Sequence, residues 1–228
     1  MNRPTFAFDL DGTLIDSAPD LLDTLNMVLG SVNLGPIANA DARGLFGGGA
    51  RVLIERGLAL HRVQLSTAAV DQLFADFLTH YEAHLTDHSR PFPGAVEALD
   101  ALAAAGGRLV IVTNKLERFA VKLLHELGLA DRFALIAGAD TFAARKPDPA
   151  HLLGAIAKVG GHSGHAVMIG DSETDVTAAR RARVPVVAVA WGYSAVPARE
   201  LNADRVVERF AEVPEAATAL LAATAARA

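Results

Sequence analysis

Four short groups of residues have side chains and spacing that could do chemistry. Asp9 and Asp11 flank a single leucine near the start of TFAFDLDGTLIDS, residues 5–17. In extended backbone, residues two apart lean to the same side, so both carboxylates face one way, and Gly12 then allows a sharp turn. Further on stand Thr113-Asn114-Lys115, then Lys146 within RKPDP (residues 145–149), then Asp171 and Asp175 within GDSETD (residues 170–175). Phosphoryl transfer asks for such a set: a nucleophile, neutralisation of the phosphoryl oxygens, and a group that moves protons. Asp9 would attack phosphorus to give an aspartyl-phosphate. Lys146 would supply positive charge, and Thr113 and Asn114 would supply neutral donors. Asp11 would protonate the leaving oxygen and later deprotonate the attacking water.

Asp9, Asp11, Asp171 and a phosphate dianion repel one another. Two unit charges about 4 Å apart interact by about 4 kcal/mol at an effective dielectric of about 20. A cation has to offset this, and magnesium is the expected one, because it is hard and is commonly held by one or two carboxylates with substrate phosphate and water. Taken singly, each group has a plainer reading. DG is a common turn pair, Thr113-Asn114 can cap a helix, a lone Lys146 can be a solvated lysine, and Ser172 with Asp175 forms the S-x-x-D pattern of a capping box. Their joint order and type argue for one site.

Topology must bring these groups together. Residues 5–8 read as a strand buried on both faces, with further strands at 109–113, 134–137, 166–169 and 186–190 and weaker strand and helix signals from Arg205 onward. Helical patterns separate them at 95–105, 117–127, 150–159 and 173–183, and an Ala-rich helix that frays is expected at 216–228. Strands alternating with helices through short loops predict a doubly wound parallel α/β sheet, with all strand carboxyl ends on one edge. Between the first and second strands the spacing is helical only: 18–30 after Pro19, 50–60, and 66–85. The expected division is a catalytic core of residues 1–16 and 91–228 with a small helical insert at 17–90.

Composition narrows the field. The chain has 228 residues, 51% hydrophobic and 21% charged, with a formal net charge of −5. Nothing in that balance favours nucleic acid or a membrane surface, so anions must be met by local cations. With no cysteine, disulfides and thiolate sites are excluded. No apolar run suggests a signal peptide or a membrane span, and a cytoplasmic location is expected. Monomer and homodimer both remain open.

In these motifs the chain resembles the haloacid dehalogenase-like hydrolases in their phosphatase form, over nearly its whole length. The resemblance implies a Rossmann-like core with a helical cap at 17–90, Asp9 as nucleophile and metal ligand, Asp11 as acid/base with its carbonyl on the metal, and Thr113 and Lys146 as phosphoryl binders. Asp171 matches the metal carboxylate, Asp175 a further acid supporting the metal, and Thr13 a position at the substrate. Through FGGGARVLIERGL (46–58), VTNK (112–115), RKPDP, GDSETD and WGYS (191–194) the chain is most similar to bacterial phosphoglycolate phosphatases. This implies a small phosphate ester as partner, 2-phosphoglycolate first. Sugar-phosphate or nucleotide phosphatase, phosphomutase and a non-catalytic binding protein are the alternatives. Leu116 stands where proline is frequent, Gly48 where asparagine is common, and Arg183 at a helix end where glycine is usual.

Three further features each have a chemical and a plainer reading. Arg51 follows the turn Gly47 to Gly49 at a helix start and is expected to read the substrate's carboxylate, against the plainer reading of a solvated helix residue. Gly47 to Gly49 lack the GK[ST] of a nucleotide-binding loop and read as a turn. His80, His84 and His88 recur at steps of four, but without HExxH they read as a surface histidine face rather than a zinc site.

Overall fold

The structure, a computed structural model, describes residues 3–42 and 44–226. Of the expected core and tail, Met1, Asn2, Arg227 and Ala228 lie outside those residues, as does Arg43 in the helical insert. Strand β1 (Thr5–Phe8) is buried throughout. The chain leaves it through Asp9, turns at Gly12 with φ +82°, and forms the two-residue strand β2 (Ile15–Asp16). Helix α1 (Ala18–Ser31) starts with Pro19 in its first turn. Helices α2 (Ala50–Leu60) and α3 (Thr67–Ala83) follow, the latter capped by Ser66, whose hydroxyl accepts from the Ala69 N–H at 3.3 Å. Strand β3 (Arg90–Pro91) pairs antiparallel with β2, so the chain leaves the sheet and returns to it side by side. The sequence pattern contains no sign of β2 or β3, since two residues are too few to show a period.

The rest alternates: α4 (Ala95–Ala104), β4 (Arg108–Val112), α5 (Glu117–Glu126), β5 (Leu135–Ala137), α6 (Pro149–Lys158), β6 (Ala166–Gly170), α7 (Glu173–Ala182), β7 (Val186–Val189), β8 (Arg205–Val207) and α8 (Val213–Ala225). The longer strands form one parallel sheet in the order β5-β4-β1-β6-β7-β8, the doubly wound arrangement expected from the sequence. Phe8 pairs with Ile111 on one side and Ile169 on the other. The chain winds outward from β1 in one direction and then in the other, which puts the carboxyl end of β1 at the point where such sheets open a crevice.

Alternation along the strands fills both faces. Phe6, Phe8 and Ile111 pack with Leu99 of α4, Leu123 of α5 and Leu220 of α8, whereas Ala7, Val110 and Met168 pack with Leu152 and Ile156 of α6 and Val176 of α7. Helices α1 to α3 gather a third apolar cluster that includes Leu25, Leu29, Ile54, Leu73 and Phe77, and Phe119 of α5 joins it from the sheet side. Arg183 ends α7 in the left-handed conformation, φ +55°, which explains why glycine suits that position. A side chain there costs about 1–2 kcal/mol.

Candidate active site

The carboxyl ends of β1, β4 and β6 deliver Asp9, Thr113 and Asp171 to one edge, and the loop before α6 delivers Lys146. Asp9, Lys146, Asp171 and Asp175 are all buried. Lys146 Nζ lies 2.8 Å from Asp9 Oδ1 and 2.6 Å from Asp175 Oδ1. The Leu10 N–H also donates to Asp9 Oδ1, at 2.7 Å. Both bonds fall on Oδ1, so among the described residues no donor occupies Oδ2. Asp171 accepts from the Thr13 hydroxyl at 2.9 Å and from the Tyr193 N–H at 2.8 Å, one on each oxygen. Asp175 Oδ2 takes the Ser172 N–H at 3.0 Å and the Ser172 hydroxyl at 2.6 Å, so the S-x-x-D pair closes the start of α7 while its other oxygen holds Lys146.

One carboxylate oxygen each from Asp9, Asp171 and Asp175 lie within 4.8 Å of one another, and among the described residues no other trio of His, Cys, Asp or Glu does so. Burial pushes the Asp9 carboxyl up to about 8, with the Asp175 charge adding to the effect and Lys146 opposing it. Burial and then Asp175 likewise push Asp171 up to about 7. Lys146 is held above the ordinary lysine range: burial alone would lower it, but Asp175 and Asp9 outweigh that. Near neutral pH the buried carboxyls of Asp9 and Asp171 therefore hold on to protons more than ordinary aspartates do, and a bound cation would oppose this. A buried, all-oxygen cluster of three acids with one lysine fits a hard divalent ion.

Asp11 faces the cleft at the edge of this cluster. Its Oδ1 accepts from the Ser17 hydroxyl at 2.5 Å and from Lys115 Nζ at 2.7 Å. The Thr113 hydroxyl oxygen accepts the Lys115 N–H at 3.1 Å, which leaves the hydroxyl's own proton to offer. Asp9, Asp11, Thr113, Asn114, Arg51 and Arg145 line one cavity of about 90 Å³, well below the roughly 300 Å³ of sites for drug-sized ligands, so the space suits a small ester.

Three residues expected at the substrate are engaged by partners within the protein. Thr13 is fully buried and spends its only hydroxyl proton on Asp171, which makes it a support of the acid cluster. The Asn114 amide nitrogen donates to the carbonyls of Gly47 and Lys146, at 3.2 and 3.1 Å, so both its hydrogens tie the loop after β4 to its neighbours. Arg51 reaches the cavity wall, yet its guanidinium pairs with Asp71 and lies 3.7 Å from Glu55 on its own helix. His80 and His84 stack, their ring centroids 4.3 Å apart, while His84 pairs with Asp87 and His88 with Asp23.

Sequence reading missed Ser17, Tyr81 and Tyr193 as site residues and gave Lys115 no role. Tyr193 joins several parts at once: its N–H holds Asp171, its hydroxyl donates to Asp16, and the same oxygen accepts the Ala18 N–H at 3.0 Å. The only available signal was its place in WGYS. No helix among the described residues is long and apolar enough to cross a membrane.

A model of the haloacid dehalogenase-like hydrolases matches residues 6–189, and the chain belongs to that family. It is 47% identical over 213 residues to the phosphoglycolate phosphatase of Agrobacterium fabrum, covering 93% of this chain and 91% of that one. The phosphoglycolate phosphatase of Caulobacter vibrioides is 45% identical over 221 residues, with 97% and 93% covered. Among solved structures, a predicted phosphoglycolate phosphatase from Haemophilus somnus superposes with a TM-score of 0.87 at 29% identity, covering 95% of this chain and 98% of that one.

Proposed function

We propose that the chain is a phosphatase, a phosphoric monoester hydrolase, that uses magnesium, passes through an aspartyl-phosphate on Asp9, and takes 2-phosphoglycolate as its substrate. The observation that carries the reading is one buried cluster in which Lys146 holds Asp9 through Oδ1, Oδ2 has no donor among the described residues, and Asp171 and Asp175 stand within reach of the same point. The names of the similar proteins supply the ester.

In this reading Asp9 Oδ2 attacks phosphorus and the bond to the ester oxygen breaks. Lys146 stays beside the attacking carboxylate and offsets the charge gathering on the phosphoryl oxygens, with the Thr113 hydroxyl as a neutral donor. Asp11 gives a proton to the leaving oxygen, then takes one from the water that attacks the phosphorus of the aspartyl-phosphate, releasing phosphate and restoring Asp9. Magnesium, held by Asp9, Asp171 and the Asp11 carbonyl with Asp175 in support, would neutralise the acids and the phosphoryl group. Residues 17–90 serve as a cap over a core of residues 1–16 and 91–228, and shut water out while the ester is bound.

A second reading is favoured by the cavity walls, where Phe46, Phe74, Phe77 and Leu116 would suit an ester of a more apolar alcohol. Phosphate release from a panel of small esters, with magnesium and with chelator, separates the two. Magnesium-dependent turnover with 2-phosphoglycolate foremost supports the first. Preference for an apolar ester replaces the substrate, and full activity in chelator overturns the metal.

A further inference from the structure

We propose that Arg145 is the specificity residue that receives a negatively charged group on the non-transferred end of the substrate, an inference that rests on the phosphatase reading above. Among the described residues three side-chain cations line the cavity: Arg51, Lys115 and Arg145. Arg51 is taken by Asp71, with Glu55 close by, and Lys115 by Asp11. Among the described residues no carboxylate pairs with Arg145. It therefore stands as uncompensated positive charge at the mouth of a cavity whose floor is acidic, and an incoming anion gains most there.

Its place along the substrate follows from its neighbour. Lys146 turns inward and is buried against Asp9, while Arg145 stays exposed at the rim. Two consecutive residues thus face the two ends of a short ester, the phosphoryl group at Lys146 and the tail at Arg145. The guanidinium lies where the turn into α2 meets the sheet loops: a β-carbon on Gly49 would stand 3.7 Å from Arg145 Nη1 and 3.2 Å from the Asn114 carbonyl oxygen. Gly49, at φ +87°, keeps that approach open. Phe46, Phe74 and Leu116 elsewhere on the wall offer a carboxylate nothing, whereas a planar guanidinium can take both of its oxygens.

The test is a calorimetric titration in the Asp9→Asn background, chosen to prevent turnover, using 2-phosphoglycolate and ethyl phosphate as probes in magnesium. Ethyl phosphate has the same phosphoryl end and chain length but no carboxylate. Arg145→Ala is expected to weaken 2-phosphoglycolate binding about tenfold or more and ethyl phosphate less than about twofold, with partial rescue by Arg145→Lys and no selective loss in Arg51→Ala. Equal changes for both probes, no change for either, a parent protein that binds the two alike, or a selective loss in Arg51→Ala would overturn the assignment. Phosphate release by the wild type is read separately. Selective binding through Arg145 without hydrolysis of any ester would sink the phosphatase reading and keep Arg145; hydrolysis with an unselective Arg145→Ala would do the reverse.

Discussion

Lys115 Nζ lies 2.7 Å from Asp11 Oδ1 and, on its other side, 2.6 Å from the hydroxyl oxygen of Tyr81. The lysine comes from the loop after β4 and the tyrosine from α3, so one ammonium ties the residue proposed to move the proton to the helices above the cleft. Lys115 also lies 4.7 Å from the Tyr81 ring centroid, and it is nearly fully buried. Lys115 and Ser17 together fix the Asp11 carboxylate, which the proposed proton transfer requires.

Removing that ammonium should misplace the base. Lys115→Met is expected to lower kcat by about tenfold or more, part of the 10²–10⁴ that a positioned acid/base contributes, and to let aspartyl-phosphate build up. Tyr81→Phe keeps the lysine on Asp11 and should cost less than about threefold. Rapid-quench measurement of phosphorylated protein checks both; unchanged kcat in Lys115→Met would remove the lysine from the account.

The sheet and the acids were legible in the sequence because their signals are local. A buried run ending in Asp9, and GDSETD opening a helix, announce themselves within a few residues, and parallel topology then leaves no freedom about which edge they share. The links between the helical insert and the sheet were not legible. Tyr81 reads as one apolar position of α3, and only folding shows that its hydroxyl meets Lys115. The partners of Thr13 and Arg51 were hidden for a related reason: proximity to a motif says that a side chain is near the site, but not that Asp171 or Asp71 accepts from it.

His151, in the first turns of α6, is fully buried, and burial followed by the nearby Lys146 charge pushes it down from 6.5 to about 4. The folded protein holds this ring neutral, while the unfolded chain takes a proton below about 6.5. Its contribution is therefore complete above pH 6.5 and is lost as pH falls toward 4, up to about 3 kcal/mol. In urea unfolding, His151→Leu should gain on the wild type by that order between pH 7 and 4. A difference constant across that range would contradict the assignment.

Asp20 closes the two chain crossings beside β2 and β3. It is buried; its Oδ2 accepts the Ser89 N–H at 2.8 Å and the Ser89 hydroxyl at 2.6 Å, and its Oδ1 accepts the His88 N–H at 2.9 Å. Asp20→Ala leaves these donors without an acceptor and should destabilise the fold by roughly 2–4 kcal/mol in urea unfolding. A loss under about 0.5 kcal/mol would show that water replaces the carboxylate and that the clamp is idle.

In the proposed reaction Asp9 carries the phosphoryl group. Wild-type protein mixed with 2-phosphoglycolate and magnesium, quenched in acid within a single turnover and digested, should yield a phosphoryl adduct on the peptide that contains Asp9. The adduct should decay as phosphate appears, and be absent in Asp9→Asn together with a rate loss of more than about a thousandfold. Phosphate released with no adduct at any quench time, or by Asp9→Asn at a rate near that of the wild type, would contradict the account.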